Sequence, residues 1–299
     1  MALREPSRTL LSSGAVAATA ALLAARAGRR PLGAVYAAGA GVALAVAANE
    51  ATGKPVPFLR WSFLRLALGI RRLTTEWQVG DGREEAVAAY VAEHAREGDL
   101  DDVIGVIDGF SRERSFLINV GDEKGEILDA AVRAAAPKLV LELGTYCGYG
   151  ALRLARAAPD ARIYTVELVE ANAAVARRNI AHAGVADRVT VVVGPLEDDR
   201  TVEHLRTACG FTEGALDFAF LDHAKEAYLP DLARMEKEGW LHPGSVVVAD
   251  NIRFPGAPEY RAHMQEREGT SWRTVEHETH VEYQSVLKDL VLESTYLGG

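Results

Sequence analysis

The chain has 299 residues, with 33 basic against 42 acidic side chains and 48% hydrophobic content, enough for one large or two modest cores, and this excludes disorder as the main state. The acidity is uneven: residues 1 to 79 hold ten basic and three acidic side chains, and the strongly acidic remainder lacks any Lys/Arg-rich run, so it is a poor match to nucleic acid. Two cysteines, Cys147 and Cys209, cannot build a disulfide framework and fit a reducing compartment.

The first region reads as a membrane attachment. Thr9 to Ala25 contains no charged residue, and after Arg26, Arg29 and Arg30 none occurs again from Pro31 to Asn49. These segments of 17 and 19 residues approach the ~20 needed to span a bilayer, but they are rich in Ala and Gly rather than Leu. A third stretch, about 57 to 72, sets Phe58, Trp61, Phe63 and Leu64 among Arg60, Arg65, Arg71 and Arg72, which suits a helix lying in the headgroup region. The expectation is an N-terminal hydrophobic helical anchor over 1–75, attached to a second domain over 76–299. A cleaved signal peptide ending near Ala27 and a soluble Ala-rich helical pair are the alternatives. If both apolar runs cross as a hairpin, positive-inside counting puts the second domain in the cytoplasm.

The second region alternates helices and strands. Amphipathic stretches at about 83–96 and 100–113 are followed by the apolar run 138–144, a helix at 151–158 and a β-branched run at 162–168, which together make one βαβ unit. The pattern repeats with helix 171–184, strand 189–194, a helix near 197–209, strand 216–223, a helix near 228–238 and strand 245–251. Five apolar strands separated by helices imply a parallel sheet covered on both faces, and the tail reads as a final hairpin.

Three groups of residues fall at strand ends. In LELGTYCGYG (141–150), Gly144, Gly148 and Gly150 lie between a strand and a helix, where glycine lets backbone approach a ligand and the helix N-terminus offers free N–H groups. Glu167, near the end of the next strand, can accept both hydroxyls of a ribose. Glu142 ahead of the glycines disfavours phosphates and suits a cationic, amine-bearing adenosine cofactor such as S-adenosylmethionine; the alternative is an ordinary tight turn. The second group is Asp222, Lys225, Asp250 and Asn251, after two strands expected to be neighbours. Asp222, Asp250 and Asn251 form an all-oxygen set of the kind that binds Mg²⁺, and a cation there would favour the neutral, proton-accepting amine of Lys225; helix caps and a surface lysine are the alternatives. The third group, Asn119 to Gly125 and Glu282-Tyr283, gains no role from periodicity.

From about Gly80 to Gly299 the sequence resembles the catechol O-methyltransferase family, specifically a bacterial relative of its membrane-anchored form, through NVGDEKG, LELGTYCGYG, GALDFAFLDHAKEAYLP, VVVADNIRFPGAPE and VEY. The resemblance implies a Rossmann-like fold with a seven-stranded, mostly parallel sheet and an antiparallel last strand. It also implies S-adenosylmethionine and Mg²⁺ as cofactors, a small catechol as substrate and a monomeric catalytic domain. Residue by residue, it puts Val120 and Glu142 by the methionine part of the cofactor with Gly144, Tyr146 and Gly150 close by. Glu167 would take the ribose, and Leu196 and His223 would sit near the adenine. Asp222, Asp250 and Asn251 would hold the metal, Lys225 would be the base, Glu282 would accept from the second hydroxyl, and Asn251, Phe116 and Pro255 would border the substrate. Family members usually have Ser at Gly150, Ser-Gln at Leu196-Glu197, and Trp at both Phe116 and Ala224, so the departures fall in the pocket walls and imply a wider substrate site. A cation-dependent O-methyltransferase for another catechol-bearing metabolite, such as a phenylpropanoid ester, and a non-catalytic binding module on the same fold are the rival readings.

Overall fold

The computed structural model describes residues 31–52, 59–69, 72 and 78–299, so the apolar run 9–25 lies outside the described residues. The chain divides into two compact units, Met1–Arg71 and Arg72–Gly299. In the first, helix α1 covers Pro31–Ala51 and the short helix α2 covers Trp61–Leu68, whose backbone N–H at Trp61 donates to Glu50 Oε1 at 2.9 Å. Among the described residues no helix is long and apolar enough to cross a membrane. This corrects the expectation of a membrane span at 31–49, and the other arm of the expected hairpin lies outside the described residues.

The second unit begins with helices α3 (Arg83–His94), α4 (Leu100–Glu113) and α5 (Gly121–Ala135). Strands and helices then alternate: β1 (Leu139–Leu143), α6 (Tyr149–Ala157), β2 (Arg162–Glu167), α7 (Glu170–His182), β3 (Val189–Val193), α8 (Asp199–Ala208) and β4 (Leu216–Leu221). A 3-10 turn over Lys225–Ala227 leads into α9 (Tyr228–Lys237), followed by β5 (Leu241–Ala249), α10 (Pro258–Glu266), β6 (Trp272–His280) and β7 (Lys288–Tyr296). The seven strands form one sheet in the order β3-β2-β1-β4-β5-β7-β6, parallel through β5, with β7 antiparallel to both its neighbours. The order reverses between β1 and β4, which opens the crevice where ligands of such sheets bind.

Period-two alternation divides the strands between two apolar layers. Val140, Ile163, Phe218 and Val248 pack in one, while Leu141, Tyr164, Ala219 and Val247 pack in the other. Burial on both faces explains why the strands read as continuous apolar runs. β5 starts four residues ahead of the expected 245, because Leu241 pairs with Leu216 of β4 before an irregularity at His242, Pro243 and Gly244, which are polar or strand-breaking in sequence, and the ladder resumes at Val246.

Close packing under α5 yields a test. A Cβ on Gly125 would collide with the guanidinium of Arg153, which is buried and held by Asp129 at 2.9 Å, so the group cannot swing away. Nothing lies within 4 Å of a Cβ on Gly105, in the middle of α4. Gly125→Ala is expected to destabilise by about 1–3 kcal/mol, whereas Gly105→Ala should stabilise by about 0.5–1 kcal/mol, as measured by urea unfolding. Equal shifts in the two variants would show that Arg153 is free to move.

Candidate active site

The sheet delivers the site through its backbone. Beyond the last residues of β1, β4 and β5 the ladder runs on: Gly144 N–H donates to Val166 O at 3.0 Å, Asp222 N–H to Leu143 O at 2.9 Å, and Asp250 N–H to Leu221 O at 3.0 Å. Asp222 and Asp250 are therefore fixed side by side on adjacent strands. Gly144 has φ of 100°, and a Cβ there would collide with the carbonyl oxygen of Asp222, so the crossing of these two loops requires glycine.

One side of this crevice carries Glu142 and Glu167. Alternation places Glu142, Thr165 and Glu167 on one face, and Glu142 accepts the Thr165 hydroxyl. Burial, with the charges of Asp222 and Glu167 adding to it, pushes the Glu142 carboxyl well above the ordinary range. A Cβ on Gly150 would collide with Glu142 Oε1, so the residue that departs from the family's serine is matched to this rotamer. Glu167 accepts from Tyr146 N at 2.8 Å, Val169 N at 2.9 Å and Asn172 Nδ2 at 3.4 Å, which orients its carboxylate, while burial raises its pKa. Tyr146 reaches this position with φ of 49°, and its hydroxyl turns to Glu84 Oε1 on α3 at 3.0 Å. The other expected cofactor residues have contacts of their own. Val120 is buried at the start of α5, and Leu196 belongs to the apolar layer of Val166 and Val192. His223 sets Nε2 2.9 Å from Asp231 Oδ2, with its ring 4.9 Å from that of Tyr228.

The other side gathers the remaining ionisable groups. Lys225 Nζ lies 3.3 Å from Asp222 Oδ1 and donates to the Tyr228 hydroxyl at 2.7 Å. That hydroxyl in turn is shared between Leu221 O at 2.7 Å and Asp250 O at 3.1 Å, so one phenol ties the ends of β4 and β5 to the lysine. Asn251, with φ of 55°, donates its amide to Glu282 Oε1 at 3.1 Å and to Asp289 Oδ2 at 3.0 Å, which leaves its carbonyl oxygen as the free end of the amide plane. Lys124, from the first turn of α5, is sealed from solvent and holds Asp250 Oδ2 at 2.8 Å, Asp289 Oδ2 at 3.2 Å and Glu282 Oε1. The contact to Asp250 Oδ2 is ionic rather than a directed hydrogen bond, and that oxygen has no directed donor. Burial pushes the Asp250 carboxyl up to about 7, against the downward pull of Lys124. Asp222, with a side chain 15% exposed, is also raised by desolvation, opposed by Lys225. Among the described residues no group of three or more His, Cys, Asp or Glu side chains is disposed to hold a metal, so the candidate set is two carboxylates and one amide oxygen.

The expected substrate residues are distributed around this cluster. The loop between β6 and β7 carries Glu282 and packs against Gly121, while the Tyr283 hydroxyl pins it to Asp108 Oδ1 at 3.1 Å and Asn119 Oδ1 at 3.0 Å. Phe116 is buried and meets the Tyr283 ring edge-on at 6.3 Å. Pro255 lies exposed in the turn Ile252–Gly256 beside Phe254, itself 50% exposed. Tyr228, Lys124 and Asp289 are the cluster members that sequence reasoning left without a role. Lys124 stood inside the NVGDEKG motif, and that was the one available signal.

The profile of the O-methyltransferase family matches residues 110–271. The chain belongs to this family. A probable O-methyltransferase of Mycobacterium tuberculosis is 63% identical over 234 residues, covering 78% of this chain and 100% of that protein. A catechol O-methyltransferase of Mus musculus is 37% identical over 213 residues, covering 71% of this chain and 78% of that protein. Among solved structures, the O-methyltransferase TomG from Streptomyces achromogenes, involved in tomaymycin synthesis and crystallised with S-adenosylmethionine, shares the fold with a TM-score of 0.54 and 24% identity, covering 66% of this chain and 91% of that one. The protein is thus an O-methyltransferase.

In this O-methyltransferase Tyr228 is the mechanical tie of the polar cluster. Tyr228→Phe is expected to lower stability by about 1–3 kcal/mol, since it takes from the buried carbonyl of Asp250 its hydroxyl donor, leaves that of Leu221 with the Asp250 N–H alone, and removes the acceptor of Lys225. Chemical denaturation checks it, and a loss below 0.5 kcal/mol would mean that water replaces the hydroxyl.

Proposed function

We propose that this O-methyltransferase transfers the methyl group of S-adenosylmethionine to one hydroxyl of a catechol, with Mg²⁺ held by Asp222, Asp250 and Asn251. The observation that carries the reading is the placement of Lys225 against Asp222 and of Glu282 against Asn251, one proton acceptor on each side of the oxygen set. The 37% identity to a catechol O-methyltransferase supports it. The residues fit the metal: two adjacent carboxylates raised by burial, one with an oxygen that lacks a directed donor, and an amide carbonyl make a hard-oxygen set short of positive charge. Mg²⁺, when bound, would supply charge neutralisation to two vicinal hydroxyls.

The chain's own residues then have separable tasks. Glu142 faces the methionine part of the cofactor and Glu167 the ribose hydroxyls, with Val120, Gly144, Tyr146, Gly150, Leu196 and His223 forming the surrounding wall. Lys225 Nζ takes the proton of the reacting hydroxyl as its oxygen bonds to the methyl carbon; the carbon–sulfur bond breaks and its electron pair stays on sulfur in S-adenosylhomocysteine. Glu282 accepts from the second hydroxyl and fixes which oxygen reacts. Phe116 and Pro255 border the ring. Orientation and proton acceptance are the enzyme's contributions, since the sulfonium is already an activated donor.

A second reading within the same chemistry is a bulkier catechol-bearing metabolite. It is favoured by Ala224, a small side chain beside Lys225 where the family usually has Trp.

Lys225→Ala should lower turnover by about 10²- to 10⁴-fold while S-adenosylmethionine binding stays near wild type, and EDTA should abolish turnover until Mg²⁺ is returned. Methyl-transfer assays with calorimetry of cofactor binding decide this: full turnover in excess chelator removes the metal, and near-wild-type turnover of Lys225→Ala at neutral pH removes the base. Ala224→Trp should narrow the accepted catechols and sharpen the ratio of the two methylated products. Unchanged product ratios across small and bulky catechols would take Ala224 out of the substrate wall.

A further inference from the structure

Lys124 has no task in the mechanism above, yet it is the most completely enclosed ammonium in the cluster, with no solvent exposure of its side chain. An ammonium has three N–H donors, and here it faces three carboxylates, those of Asp250, Glu282 and Asp289. Asn251 clamps two of the same carboxylates from the other side through its amide nitrogen. Asp289 is saturated further by the backbone N–H groups of Arg253 at 3.2 Å and Phe254 at 3.0 Å. Glu282 and Asp289 are thus turned toward nitrogen donors.

We propose that Lys124 is a positioning and specificity-determining residue that withholds Glu282 and Asp289 from the cation at Asp222, Asp250 and Asn251, and so selects Mg²⁺ over Ca²⁺. The inference rests on the metal reading above. Its physical basis is coordination number: Ca²⁺ gathers six to eight oxygens in flexible geometry, whereas Mg²⁺ keeps several waters and needs few protein ligands. With Lys124 in place, a cation finds three protein oxygens. Without it, Glu282 keeps only the Asn251 amide as a donor and becomes available, Asp289 is held by Asn251 and two backbone N–H groups alone, and the local charge falls by one, a change that favours the larger, oxygen-hungry ion. The same contacts keep Glu282 off the metal and free to accept from substrate.

The test measures ion binding by the full-length protein without substrate, following the free Mn²⁺ signal by electron paramagnetic resonance with Mg²⁺ and Ca²⁺ as competitors. The wild type is expected to prefer Mg²⁺, and Lys124→Met should shift the ratio of the two dissociation constants toward Ca²⁺ by on the order of tenfold or more. A lysine with only a structural role would weaken both ions together, so an unchanged ratio overturns the proposal. If Lys124→Met fails to fold by circular dichroism, Glu282→Gln in the presence of Lys124 decides: wild-type Mn²⁺ affinity shows that Glu282 is withheld, and a large loss shows that it already binds the ion. A wild-type protein that takes up no Mn²⁺ would remove the metal reading itself, and this inference with it.

Discussion

Like charge held out of water is the constraint around which this molecule is arranged. Asp222, Asp250, Glu282 and Asp289 share one region at the carboxyl ends of the strands, where each would be driven to take up a proton if left alone with the others. Lys124 lets them coexist, and it can do so because α5 starts directly beneath them and because the parallel ladder fixes Asp222 and Asp250 one strand apart. Breaking one member of such a set leaves an uncompensated buried charge, which is why the group behaves as a unit.

The same constraint explains the glycines and the unusual backbone angles. Gly144 must cross the carbonyl of Asp222, Gly121 must admit the backbone of Glu282, and Asn251 takes a left-handed conformation that turns its amide toward two carboxylates. Each of these three departures is matched by a contact to an acidic residue, so strain is spent where charges have to be placed.

Much of this was legible in the sequence, for physical reasons that differ by element. β1 through β5 stood out because strands buried on both faces are continuous apolar runs, and acidic residues at their ends are conspicuous against that background. Glu142, Glu167, Asp222 and Asp250 were found that way. Lys124 was not assigned a role, because a lysine one turn into a helix looks like any solvated one until a loop about 160 residues later folds over it. Tyr228 gave no signal either: its hydroxyl does its work through backbone carbonyls, which sequence does not display. The 31–49 segment suggested a span because absence of charge and presence of helix formers satisfy a length rule.

The insertion of β7 between β5 and β6 has a bearing on synthesis. A nascent chain completes β1 to β4 and the Glu142–Glu167 half of the crevice some 60 residues before Glu282 and Asp289 emerge, and those two groups lie 158 and 165 positions from the lysine that receives them. Contacts of such separation form late and pay their loop-closure entropy at the end of folding. Vectorial folding would therefore leave the ammonium of Lys124 waiting on Asp250, with a cofactor-facing half already structured, until the last hairpin docks. Assembly of the polar cluster therefore waits for residues 282 to 289, and a chain stalled before residue 282 would leave half of its crevice unbuilt.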